Sequence, residues 1–131
     1  MEAAPVDQAA SAWGCNGTSI PGANNQVTGT GAANTAAIVS GCAQANTAAK
    51  VTDTYVLNGY TDWYLPSRDE LYLLYLQRAL VNATIAKNSY YQSSSQLNNS
   101  TTTNYIRTFN SDNEYGNPKG TAELVRAVRS F

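Results

Sequence analysis

The stretch LPSRDEL, from Leu65 to Leu71, constrains this chain more than any other. Ser67 followed three residues later by Glu70 has the pattern of a capping box: the serine hydroxyl accepts a first-turn N–H and the carboxylate reaches back to the serine N–H. Pro66 holds the residue before it extended, so a helix starts here. Asp69 and Glu70 fall in its first turn and Arg78 towards its other end, as the helix dipole favours. Leu71, Leu74, Tyr75 and Arg78 mark one stripe, and Leu73, Leu76 and Leu80 widen the apolar face. Adjacent on a helix, Asp69 and Glu70 point about 100 degrees apart and do not converge on one reacting atom. Both acids therefore read as parts of a helix start, not as a general acid and base.

The remaining segments are punctuated less clearly. Residues 1–12 read as a linker or the end of a stalk, and Trp13 opens a single domain that runs to Phe131. Trp13 to Asn34 is rich in Gly, Asn and Thr and reads as loop with at most one short strand. Its glycines do not make a phosphate loop, since no Lys-Ser or Lys-Thr follows them. Between Ala33 and Ala49 the positions Ala37, Ile38, Gly41, Cys42 and Ala45 recur at helical spacing, which predicts one amphipathic helix with Cys42 towards the core. Asn82 to Asn104 is polar and predicts one or two short strands around a long exposed loop. Tyr105 to Asn110 alternates as a strand does, SDNEYGNPKG supplies turns, and AELVRAVRSF predicts a terminal strand, so the domain ends on a hairpin.

Charge and composition exclude several function classes. With 131 residues, a formal charge of -1 and 13% charged residues, the chain has no bulk attraction for nucleic acid or an anionic membrane, so any polyanion site is a local patch. No apolar run approaches the length of a membrane span, and MEAAPVDQAASAW lacks the features of a signal peptide, so the sequence reads as a mature fragment or an excised domain. The Asn, Thr, Ser, Ala and Tyr content is that of bacterial secreted and surface proteins. Histidine is absent, which removes the commonest general base, the Ser-His and Cys-His nucleophile pairs and the usual zinc ligands. Cys15 and Cys42 are far apart and form no CxxC; they are either a disulfide, in an oxidising compartment, or two buried thiols. No cofactor is implied.

The order of the pieces carries a resemblance. A Trp-Gly opening, GTGAANTAAIV, LNGYTDWYLPSRDELYLLY, YYQSSS and LVRAVRSF resemble, in that order, the bacterial family called domain of unknown function 1566, across nearly all of Trp13 to Phe131. The plan is more loosely similar to the formylglycine-generating branch of C-type lectin-like folds. The resemblance implies an α+β, C-type lectin-like domain: two helices packed on a small, mostly antiparallel sheet with long loops. It also implies a non-enzymatic adhesive head, trimeric and carried on a collagen-like stalk, that is secreted or surface-bound and binds sulfated glycosaminoglycans. Departures are visible. YYQSSSQ stands where family members often have YWSSSE, and the cysteines lie at the opposite end of the chain from those of sulfatase-activating enzymes. GNPKG would set Lys119 against a calcium ion, and polar turns account for Asp112, Asn113, Glu114 and Asn117 better than calcium does.

A sulfated sugar needs several cationic donors on one surface. Arg107, Lys119, Arg126 and Arg129, all in the terminal hairpin region, are the candidates, with Lys87 and the polar loop from Gln92 to Thr103 at an exposed edge. Tyr90, Tyr91, Tyr105 and Tyr115 offer rings for stacking on sugars, Tyr91 and Tyr115 foremost. Alternation sets Arg126 and Arg129 on opposite faces of a regular strand, so at least one of them is open to pairing with Asp62, Asp69 or Glu70 instead. The expected partners are thus a sulfated glycosaminoglycan or similar anionic polysaccharide and two further copies of the chain, with no nucleic acid and no membrane insertion. The alternatives are a protein-receptor binder of the retroelement-diversified kind and a structural cap that trimerises a stalk.

Overall fold

Ser67 starts a helix as its sequence requires. Its hydroxyl accepts the N–H of Glu70, and the Glu70 carboxylate accepts the N–H of Ser67, over Arg68–Leu76 (α3). The computed structural model describes residues 1–80 and 89–130. Among these the fold is α+β: strands Glu2–Ala3 (β1) and Gln8–Ala12 (β2), helices Gly31–Gly41 (α1), Ala48–Asp53 (α2) and α3, then strands Tyr90–Gln96 (β3), Thr103–Thr108 (β4), Asn113–Pro118 (β5), Ala122–Val125 (β6) and Val128–Arg129 (β7). The described strands form a sheet ordered β2-β6-β3-β4-β5 and a small β1-β7 pair. Pairing is antiparallel except where β6 lies parallel to β3.

Four sequence expectations need correction. The single helix over 33–49 is two helices. Cys42 is already extended, Asn46 takes a left-handed backbone with φ of 59°, and Thr47 opens α2 by accepting the N–H of Lys50. Residues 1–12 are not a linker, because β1 pairs with β7, β2 pairs with β6, and the buried Ala4 donates its N–H to Ala127 at 2.8 Å. AELVRAVRSF does not close a terminal hairpin. It breaks at Arg126 and Ala127, so β6 enters the large sheet between β2 and β3 while β7 joins the small one. Finally, the exposed loop expected from Gln92 to Thr103 begins instead inside the central strand β3, where Gln92 through Gln96 are fully buried.

That polar strand lies inside because it supplies hydrogen bonds to loops that cannot satisfy themselves. Ser95 Oγ donates to Asn25 O at 2.6 Å and accepts the N–H of Arg68 at 2.9 Å. Gln96 Nε2 donates to Ile20 O at 3.0 Å while its Oε1 accepts the Ile20 N–H at 2.9 Å. The Gly-, Asn- and Thr-rich segment after Trp13 is thereby fixed against the sheet. Apolar packing supplies the rest. Tyr64, Leu71, Leu74, Tyr75, Tyr91, Phe109 and Val128 form one core cluster beneath α3, and Trp13, Ile20, Ala23, Ile38, Cys42 and Ala49 form another beneath α1 and α2. Each buried leucine there contributes about 1.5–3 kcal/mol.

Of the two cysteine readings, the bridge is the one formed: Cys15 and Cys42 are joined, with Cα atoms 5.9 Å apart. It ties the loop after Trp13 to the end of α1. Replacing both cysteines with serine should lower stability by about 3 kcal/mol on the chain-entropy account of a loop this long. Urea unfolding with and without reductant checks this, since a midpoint that ignores reduction would deny the bridge a stabilising role.

Candidate functional site

The C-terminal basic residues do not share a surface. Lys119 is fully buried: its Nζ donates to Thr18 O, Gln96 Oε1 and Ser100 O, each at 2.8 Å, and lies 4.4 Å from the Trp13 ring centroid. Burial pulls its ammonium down to about 8. Arg126 is buried too, pairing with Asp7 at 2.7 Å and donating to Ala4 O at 3.0 Å. Tyr91 is buried beside it, its hydroxyl donating to Asp7 at 2.9 Å. These three are removed from any ligand surface, because each anchors a segment that the sequence alone presents as loop or linker. Arg129 stands apart. It clamps Asp62 through Nε and Nη2 at 2.8 and 3.1 Å, reaches Glu2 at 3.1 Å and stacks 3.7 Å over Tyr60. The alternative pairing with Asp62 is thus the one formed, and it holds the Asp62 carboxyl below its ordinary value. Lys87 lies outside the described residues. Tyr115 is exposed on β5 and meets Tyr90 edge to face.

Arg107 is buried as well, but alone of the four it lies in a cluster with other arginines. The guanidinium sits 4.6 Å from the Tyr72 ring centroid and 5.6 Å from that of Tyr75. Helix α3 and the turn that follows it bring Arg68, Tyr72, Tyr75 and Arg78 to one side at spacings of four, three and three residues, the helical period. Arg78 lies 4.1 Å from the Tyr75 centroid and donates to Tyr75 O at 3.0 Å. Arg68 lies 5.2 Å from Tyr105 on β4 and grips both oxygens of Glu114 through Nε, at 2.9 and 2.8 Å. Glu114 also approaches Arg107 at 3.4 Å, and Asp112 binds the same guanidinium at 2.9 Å. Three cations and two carboxylates thus interleave with three tyrosine rings, Tyr72, Tyr75 and Tyr105, where α3 meets the β4-β5 ladder.

The electrostatics leave cationic capacity. Among the described residues no carboxylate pairs with Arg78; the Nε of Arg107 has no hydrogen-bond partner either, but it is buried out of reach of a ligand. Asp112, whose side chain is 61% exposed, is the group that an arriving anion would displace most easily. Stacking on tyrosine keeps each guanidinium plane fixed, so its N–H fork is presented with little entropy to lose. Asp112 and Glu114 are occupied as arginine counter-ions, which gives those acids a role other than the calcium one. Arg68 and Arg78 escape a reading that looks for basic residues near the chain end. Their signal is the helical spacing with Tyr72 and Tyr75 in the opening stretch.

The chain matches the Lcl C-terminal domain family over residues 7–129. Comparison with curated proteins finds no match. The matched span runs from Asp7, the counter-ion of Arg126, to Arg129 in the last strand, and so takes in the whole five-stranded sheet, all three described helices and the arginine stripe. This chain belongs to the Lcl C-terminal domain family, that of the terminal domain of the Legionella collagen-like protein.

Proposed function

We propose that the chain is the lectin-like adhesive head of a secreted or surface collagen-like adhesin, and that it holds sulfated glycosaminoglycan on Arg68 and Arg78, with the buried Arg107 engaging the acids beside them, without catalysis. The observation that carries this reading is the pair of guanidiniums of Arg68 and Arg78, each fixed on a tyrosine ring, Arg78 with no carboxylate partner among the described residues. Each sulfate is a compact anion that such a fork grips. Asp112 and Glu114 offset much of the charge, so one head binds weakly, and assembly as a homotrimer multiplies the contacts along a polymer that reaches two or more heads. Family membership supports the adhesin role. Among the described residues no helix is long and apolar enough to cross a membrane.

Heparin affinity chromatography tests the site. The Arg68→Ala and Arg78→Ala double variant should elute at clearly lower salt than the parent, by the screening and counterion release that govern linear polyanions. Asp112→Asn, which removes the competing carboxylate, should elute later. Retention unchanged in both variants would remove the stripe from the binding surface.

A further inference from the structure

The β4-β5 ladder has a second face. Arg107 stands opposite Glu114 and belongs to the face turned towards α3, whereas Thr108, Ile106 and Asn104 stand opposite Asn113, Tyr115 and Asn117, one residue out of step, and belong to the other. None of those six positions carries a charge. Tyr90 of β3 is opposite Thr108 and extends the same face. Tyr115 is 46% exposed and Tyr90 is 40% exposed, and their rings meet edge to face at 5.6 Å with planes at 87°. Each ring therefore limits the motion of the other, so two half-exposed phenol rings are held at right angles on the sheet. Neither hydroxyl has a hydrogen-bond partner among the described residues. Further along the same face Asn104, opposite Asn117, is fully buried, with its Nδ2 donating to Gln92 Oε1 at 2.7 Å.

The chemistry of the face selects among occupants. Among the described residues this face carries no cation, so it gives a sulfated polymer little to grip. An added peptide strand would meet β5 at an edge closed by Pro118, which has no N–H to offer a ladder. An uncharged pyranose fits. Its C–H face covers a phenol ring, and its hydroxyls both donate and accept at the neighbouring asparagine amides. We infer that Tyr90, Tyr115, Asn113 and Asn117 form a second glycan subsite, back to back with the arginine stripe, that takes a neutral, equatorially substituted sugar unit. The two faces together would let one head contact a charged and an uncharged part of a glycan surface. This subsite does not depend on the arginine reading.

The full chain, labelled with 15N, is titrated with cellohexaose and with N-acetylchitohexaose. At least one should give saturable shifts of the Asn113 to Asn117 amides, with an affinity that does not change between low and high salt, because no ion pair forms. Tyr115→Ala should weaken that binding at least about tenfold, whereas Tyr115→Trp, which keeps a ring and controls for folding of the hairpin, should retain it. The Arg68→Ala and Arg78→Ala double variant should bind these sugars as the parent does. Absence of saturable shifts with both probes, affinity untouched by Tyr115→Ala, or loss of affinity in the arginine variant would each overturn the subsite.

Discussion

A Glu70→Gln variant should lose about 3 kcal/mol of stability and melt about 10 °C lower, although the substitution preserves the shape of the side chain. The carboxylate is buried, and every partner it has is a donor. Oε1 accepts the N–H groups of Ser67 and Gly31 at 2.9 and 3.0 Å, and Oε2 accepts the Gly29 N–H and the Tyr64 hydroxyl, both at 3.2 Å. One side chain thus caps two helices, its own and α1, whose N-cap residue Thr30 makes no side-chain cap. An ionised carboxylate is all acceptor, while an amide must turn an NH2 towards two of those donors. The fit is tight from the other side as well, since a Cβ at Gly31 would collide with Glu70 Oε1 and come within 2.8 Å of Leu65 O. Scanning calorimetry decides the matter: a Gln variant within about 1 kcal/mol of the parent would show that the donors find water instead.

Lys119→Met should cost a similar amount, about 3 kcal/mol near neutral pH, while heparin retention per folded molecule stays the same. The ammonium joins three segments by bonding Thr18 O, Ser100 O and Gln96 Oε1 while resting on Trp13. Without it those oxygens lose their donor inside the protein, although Gln96 Oε1 keeps the Ile20 N–H. The pH dependence has a definite sign. With the folded pKa near 8 and that of an unfolded lysine near 10.4, the unfolded chain holds more protons between these values. The stability difference between parent and variant should therefore widen as pH rises through that window. Denaturant midpoints of both proteins at pH 7 and pH 10 measure it, and a gap that narrows at pH 10 would mean that the ammonium, not the amine, is the form favoured by burial.

The candidate site was partly legible. Arg107 was found because basic residues near the chain end are easy to see, but Lys119 and Arg126 are as basic in sequence and are buried. The difference is a counter-ion or carbonyl cage from far away: Asp7 reaches Arg126 across the sheet, and Thr18 O reaches Lys119. Arg78 was visible towards a helix end and Arg68 only as part of the opening stretch, and their meeting with Arg107 depends on α3 packing against β4, a contact between distant segments.

What the sequence determined by itself is local. Ser67 and Glu70 define the start of α3 because both capping bonds close within one turn, and the phrases from Trp13 to Phe131 place the chain among mixed α+β domains. The tertiary structure decided which polar residues are interior. Gln92 to Gln96 has the composition of an exposed loop, and no periodicity within it marks the central strand. It is buried because Ser95 meets Asn25 and Gln96 meets Ile20, partners separated by 70 and 76 residues. Apolar burial leaves a repeating pattern in the chain, but the burial of a hydroxyl or an amide is allowed only by the partner that satisfies it, and here that partner is supplied by folding.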